Sequence, residues 1–183
     1  MLTVDVEEWF HVCGVKGLEG PEQWAELPSR VDVDLDRLLQ LLDDFGARAT
    51  FFILGWLAET RPRLVARIID AGHEIGCHGY GHQPVHLLGP EAFAVDLDRS
   101  LGLLREASGQ AVDLYRAPMW SLGFGSTPWA FEIMHRRGIL IDSSLTRAPL
   151  IGHREHPRKT SRLALEGDVQ LLECPPLTGR LFG

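Results

Sequence analysis

Residues 49–82 read ATFFILGWLAETRPRLVARIIDAGHEIGCHGYGH, and the way this stretch divides decides the fold. Ala49 to Leu54 is an unbroken apolar run, the mark of a strand covered on both faces. A helical pattern follows, interrupted near Pro62 and closed at Gly72. Proline removes an N–H inside a helix but suits a first turn, and glycine accepts the conformation that ends one. His73 to Cys77 is then a second short strand. Strand, helix and strand in succession are the unit of a parallel sheet.

The same alternation continues on both sides. Leu2 to Glu7 is a β-rich run, and Val31 to Phe45 carries apolar residues at Leu35, Leu38, Leu39, Leu42 and Phe45 before a stop at Gly46. Downstream, Pro90 opens a helix to about Ala107, Val112 to Tyr115 is a strand, and Pro128 opens a helix ending at Gly138. Ile139 to Ile141 and Val169 to Glu173 complete a set of six expected strands. Short apolar strands alternating with helices predict an α/β fold with a parallel sheet, and with no glycine-rich phosphate loop the barrel-like version is preferred. Two long loops, Val12 to Arg30 and Thr146 to Ser161, are candidate substrate-binding walls.

A chain of 183 residues suits one domain, expected to span 1–183. Eighteen basic against 25 acidic side chains give a formal charge of −7, with no run of Lys or Arg, which argues against nucleic acid or an anionic membrane as partner. Cys13, Cys77 and Cys174 are odd in number and widely spaced, so neither a disulfide framework nor a thiolate zinc site is expected. No apolar run approaches a membrane span and MLTVDVEEWF does not resemble a signal peptide, so with Met1 as the start the expected location is cytoplasmic.

In a parallel barrel the active groups gather at the C-terminal ends of the strands. His78 and His82 follow directly on the strand ending at Cys77 and stand four apart, the spacing that lets two imidazoles share a metal. Asp5 and Glu7 close the first strand with period-two spacing, so both carboxylates can face the same mouth. Arg116 and Asp142 also stand at strand ends. A carboxylate with two imidazoles leaves an open metal position, which points to hydrolysis. His73 and His86 lie too far from this mouth to join the set. Trp9, Phe10, Trp120 and Phe124 are expected to pack in the core or at the rim, with a sugar-stacking floor as the alternative. His153 and His156 fall in a charged loop and are expected to be solvated.

TVDVEEWF, ATFFILGWLAE, HEIGCHGYGH, RAPMW and IDSSL, in that order, resemble the motifs of the polysaccharide deacetylases of the chitooligosaccharide and peptidoglycan deacetylase type, the carbohydrate esterase family 4 group. The DVEE opening is most similar to deacetylases of bacterial exopolysaccharide loci. The resemblance implies a deformed (β/α) barrel and a divalent metal, commonly zinc, held by Glu7, His78 and His82. It implies Asp5 as general base, Arg116 as the residue that orients it, the Met119 N–H as oxyanion donor and Asp142 as support for Arg116. The implied reaction removes N-acetyl groups from N-acetylhexosamine units of a bacterial oligo- or polysaccharide.

Three positions depart from the family pattern. The metal carboxylate has two candidates, Glu7 and Glu8, of which strand alternation favours Glu7. Met119 replaces a tyrosine. The acid that protonates the leaving amine is a late histidine in the family, and no histidine follows His156 here. The expectation is therefore a domain lacking its C-terminal strand or strands, with the acid beyond residue 183. Two other functions fit the same residues: an amidohydrolase of the allantoinase or cyclic-imide type, and a non-catalytic carbohydrate-binding domain.

Overall fold

Strand β1 (Leu2–Val6) pairs in parallel with β2 (Ala49–Ile53), Asp5 opposite Phe52 and Val6 opposite Ile53. All five residues of β2 are buried, because β2 lies between β1 and the parallel strand β3 (Glu74–Cys77). This is why its sequence is apolar at every position but Thr50, whose hydroxyl donates to Glu74, instead of alternating. The computed structural model describes residues 2–18, 20–148, 151–163, 165 and 170–178.

Between these strands run α1 (Pro21–Trp24), α2 (Val31–Asp44), α3 (Gly55–Thr60) and α4 (Pro62–Asp70). The interruption read at Pro62 is a true break, since Arg61 is non-helical and Pro62 opens α4. One side of α4 buries Leu64, Val65 and Ile68 completely. Each such side chain contributes about 1.5–3 kcal/mol relative to an exposed one. Helix α5 (Val85–Ser108) is broken at Gly89, whose φ of 74° and ψ of 171° set Pro90 at the start of the longer segment.

The chain forms two compact units, Met1–Gln83 with Asp96–Val112, and Pro84–Val95 with Asp113–Gly183. The first holds β1, β2, β3 and α1 to α4, with the later part of α5. The second holds β4 (Leu114–Tyr115), a 3-10 turn (Pro118–Trp120), α6 (Pro128–Arg136), β5 (Ile141–Asp142), β6 (Ser161–Arg162) and β7 (Leu172–Glu173). Strand β5 is parallel to both β4 and β7. Strand β6 is antiparallel to β7, with Ser161 opposite Glu173, and it raises the expected six strands to seven among the described residues. Two polar residues at the end of a long loop give no hydrophobic pattern, so only backbone pairing reveals β6. Of the strand expected from Val169, residue 169 lies outside the described residues. No described helix is long and apolar enough to cross a membrane.

Candidate metal centre

Because β1, β2 and β3 are parallel, their C-terminal ends share one edge of the first unit. Glu7 follows β1 there and His78 follows β3, its N–H bonded to the Ile53 carbonyl at 3.0 Å. Glu7 Oε1 lies 3.1 Å from His78 Nε2 and 3.2 Å from His82 Nε2. One donor atom from each of the three lies within 4.8 Å of the others. Both imidazoles are buried, so their convergence on one carboxylate oxygen is fixed by the fold. A carboxylate and two imidazole nitrogens fit a zinc-type divalent cation and leave coordination positions open.

The surroundings orient the His82 ring. The Cys13 thiol donates to the His82 carbonyl at 3.1 Å, and its sulfur stands 3.6 Å from Nδ1. With Nδ1 engaged, Nε2 is the nitrogen turned to Glu7, a typical outer partnership for a ligand histidine. Burial raises the Glu7 carboxyl, but hydrogen bonds from His78 and His82 outweigh it and hold the group well below the usual carboxylate range. Burial lowers His82, while Cys13 and Glu7 push it up to about 9. His11, buried and facing His82, is lowered to about 3. His11 Nδ1 accepts the Glu8 N–H at 3.1 Å.

Glu8 has different work. It is 4% exposed, and its carboxylate accepts the Ser29 hydroxyl, the Arg30 N–H at 3.0 Å and the Val31 N–H at 3.3 Å. These groups begin α2, which has no side-chain cap of its own. Glu8 supplies that cap from a distant strand end, where the helix dipole also favours a negative charge. Asp5 is half-buried on β1, two residues before Glu7.

The loop carrying the two histidines is tied at its middle. Asp96 accepts the Tyr80 N–H at 2.9 Å and the Gly81 N–H at 3.4 Å, and the Gly55 N–H donates to the Gly79 carbonyl at 2.8 Å. A Cβ on Gly55 would meet Ser100 Cα at 2.9 Å, so only glycine lets α3 come this close. Sequence reasoning missed Asp96 and Cys13, because their partners lie 15 to 69 residues away with no spacing rule to connect them.

Phe10 packs with Trp24 and Trp56 as buried core, whereas Trp9 is half-exposed, its indole donating to the Pro28 carbonyl at 2.9 Å.

The second unit holds the other candidates. Arg116 is 4% exposed and donates to the Ser143 carbonyl at 3.1 Å and the Ser143 hydroxyl at 2.7 Å. Met119 and Trp120 both have left-handed backbones, with φ of 56° and 48°. Strain of about 1–3 kcal/mol for each such residue persists only where the surroundings impose it. The Trp120 N–H closes on the Ala117 carbonyl at 3.0 Å to hold the turn. Asp142 is fully buried and accepts the Ser144 hydroxyl. The expectation that His156 is solvated is wrong: it is 4% exposed, with Nδ1 2.8 Å from the Thr146 carbonyl and its ring against Phe124. Charged neighbours in REHPRK hid one inward-facing ring. His153 is exposed.

A family model described as polysaccharide deacetylase matches residues 31–123, a segment that includes His78, His82, Arg116 and Met119. A peptidoglycan deacetylase of Helicobacter pylori is 33% identical over 141 residues, which are 76% of this chain and 46% of the relative. A solved structure from Mycobacterium smegmatis, assigned to the polysaccharide deacetylases, superposes with a TM-score of 0.74 at 27% identity, over 96% of this chain and 57% of that one. A pseudoenzyme of carbohydrate esterase family 4 from Bacillus anthracis shares the fold, with a TM-score of 0.55 at 22% identity over 73% of this chain and 40% of that one. The chain spans less than half the length of the Helicobacter relative.

Proposed function

Because the chain belongs to the polysaccharide deacetylase family, we propose that it is a metal-dependent hydrolase that removes N-acetyl groups from N-acetylhexosamine units of a bacterial polysaccharide. The observation that carries this reading is the convergence of Glu7, His78 and His82 on one point at the strand ends. These three residues would hold the cation. A divalent metal bound there supplies Lewis acidity for an amide carbonyl and lowers the pKa of a water towards about 7.

The remaining work falls to this chain's own groups. Asp5, on β1 two residues before Glu7, takes the proton of the attacking water. The Met119 N–H donates to the oxyanion that develops on the former carbonyl oxygen. Arg116 has the task of orienting the base. The ties from Ser143 favour that role, since a guanidinium with two fixed bonds keeps a defined direction for the rest of its donors. Asp142 supports this corner through Ser144, whose oxygen accepts the Ala117 N–H at 2.8 Å.

The test is acetate release from N-acetylated chitooligosaccharides and from peptidoglycan, with the protein first stripped by a chelator and then reloaded with zinc. Metal-restored acetate release is expected. Ring opening of allantoin or hydantoin without acetate release would favour the small-ring amidohydrolase reading instead.

A further inference from the structure

Asp142 and Glu173 stand directly opposite one another on the parallel strands β5 and β7, and both are completely buried. Their four carboxyl oxygens can be accounted for singly. Asp142 Oδ1 accepts the Ser144 hydroxyl, which has one hydrogen and whose oxygen already takes the Ala117 N–H. Glu173 Oε1 accepts the Leu145 N–H at 3.1 Å. Asp142 Oδ2 and Glu173 Oε2 are buried with no donor among the described residues, and the register sets their two residues side by side on neighbouring strands.

Two ionised carboxylates in this place would repel each other and leave two buried oxygens unpaired. One proton removes both faults. We propose that Asp142 and Glu173 share a single proton in a buried carboxyl–carboxylate hydrogen bond, and that Glu173 is thereby a positioning residue for the corner that carries Arg116. Burial and the neighbouring Asp142 push Glu173 up to about 12, and burial raises Asp142 as well, in keeping with one proton held by the pair.

The pair is wired to that corner on both sides. Asp142 holds Ser144, and Ser144 holds the Ala117 N–H. Ser143 grips Arg116 and donates its own hydroxyl to the carbonyl of Cys174, the residue after Glu173, at 2.7 Å. With the proton in place this network is closed under one negative charge. The inference rests on donor accounting within the second unit and does not depend on the deacetylase reading.

Amides test it, because an amide NH2 can stand where the shared proton stood. In E173Q the new NH2 donates to Asp142 while the Gln oxygen keeps the Leu145 N–H. D142N mirrors this arrangement. Each single variant should melt close to wild type, whereas E173A should melt far below E173Q. The double variant D142N/E173Q sets two NH2 groups face to face, so its loss should exceed the sum of the single losses. Infrared spectra of the folded wild-type chain at mildly alkaline pH should show a protonated-carboxyl C=O band that E173Q removes. Absence of that band from the wild type overturns the proposal, and this readout needs no variant to fold. A double variant as stable as the sum of the singles predicts, or E173Q melting as low as E173A, overturns it as well.

Discussion

Each unit sets carboxylates at its strand ends, and the two solve the charge problem in opposite ways. In the first, Glu7 stays ionised because two imidazole nitrogens reach its Oε1 at 3.1 and 3.2 Å. In the second, Asp142 and Glu173 have, among the described residues, only serine and backbone donors besides each other, and the proposal gives them one shared proton. The first arrangement offers an anion and two imidazole nitrogens that can give up their protons to a metal, and so invites a cation. The second has closed on itself. Glu8 shows a third outcome one residue from Glu7, where backbone N–H groups at the start of α2 take up the charge. Neighbours, not residue type, decide what a buried carboxylate does.

The largest effect that could break this contrast belongs to Asp5. If Asp5 is the base we propose, Asp5→Asn should reduce turnover by a factor of about 10² to 10⁴ while bound metal stays at the wild-type level. Parallel assays of acetate release and elemental content check this, and loss of metal would make Asp5 a ligand. Next in size is the second unit. E173A leaves Asp142 Oδ2 and the Leu145 N–H without a partner and should cost about 3–5 kcal/mol in denaturant unfolding, with metal content unaffected.

Glu8→Ala sharpens the contrast between neighbours. Loss of a helix cap should cost about 0.5–2 kcal/mol of stability with metal binding unchanged. Glu7→Gln should weaken metal binding instead, and identical behaviour of the two variants in chemical denaturation and metal titration would erase the distinction. The smallest effect is a slope with pH. Burial and the facing Asp142 push the folded Glu173 carboxyl far above its ordinary value of 4.5, so above that ordinary value the folded pair keeps a proton that the unfolded state releases. This contribution therefore falls as pH rises, the reverse of an ion-paired carboxylate. Between about pH 6 and about pH 9 the melting temperature of wild type should decline more than that of E173Q.

Local patterns in the sequence carried the strands other than β6 and the neighbourhood of the site. The apolar run of β2 and the proline and glycine stops around α4 follow from nearest-neighbour chemistry, and His78 and His82 stand four apart just past a strand end. What remained closed to sequence reading depends on distant partners. The choice between Glu7 and Glu8 turns on α2, which starts 23 residues beyond Glu8. Asp96 looks like any polar residue on a helix until the Tyr80 and Gly81 N–H groups are seen to meet it. Glu173 left one clue, a charged residue inside the apolar run VQLLEC. Its partner on β5 gave none, since strand register is a property of the folded chain.

The most direct test of the metal assignment is elemental analysis of His78→Ala beside wild type, both loaded with zinc, dialysed, and shown to be folded by circular dichroism. The account predicts one zinc per wild-type chain and almost none in the variant, because among the described residues no further donor joins the group of Glu7, His78 and His82. A folded His78→Ala protein that retains stoichiometric zinc would contradict it.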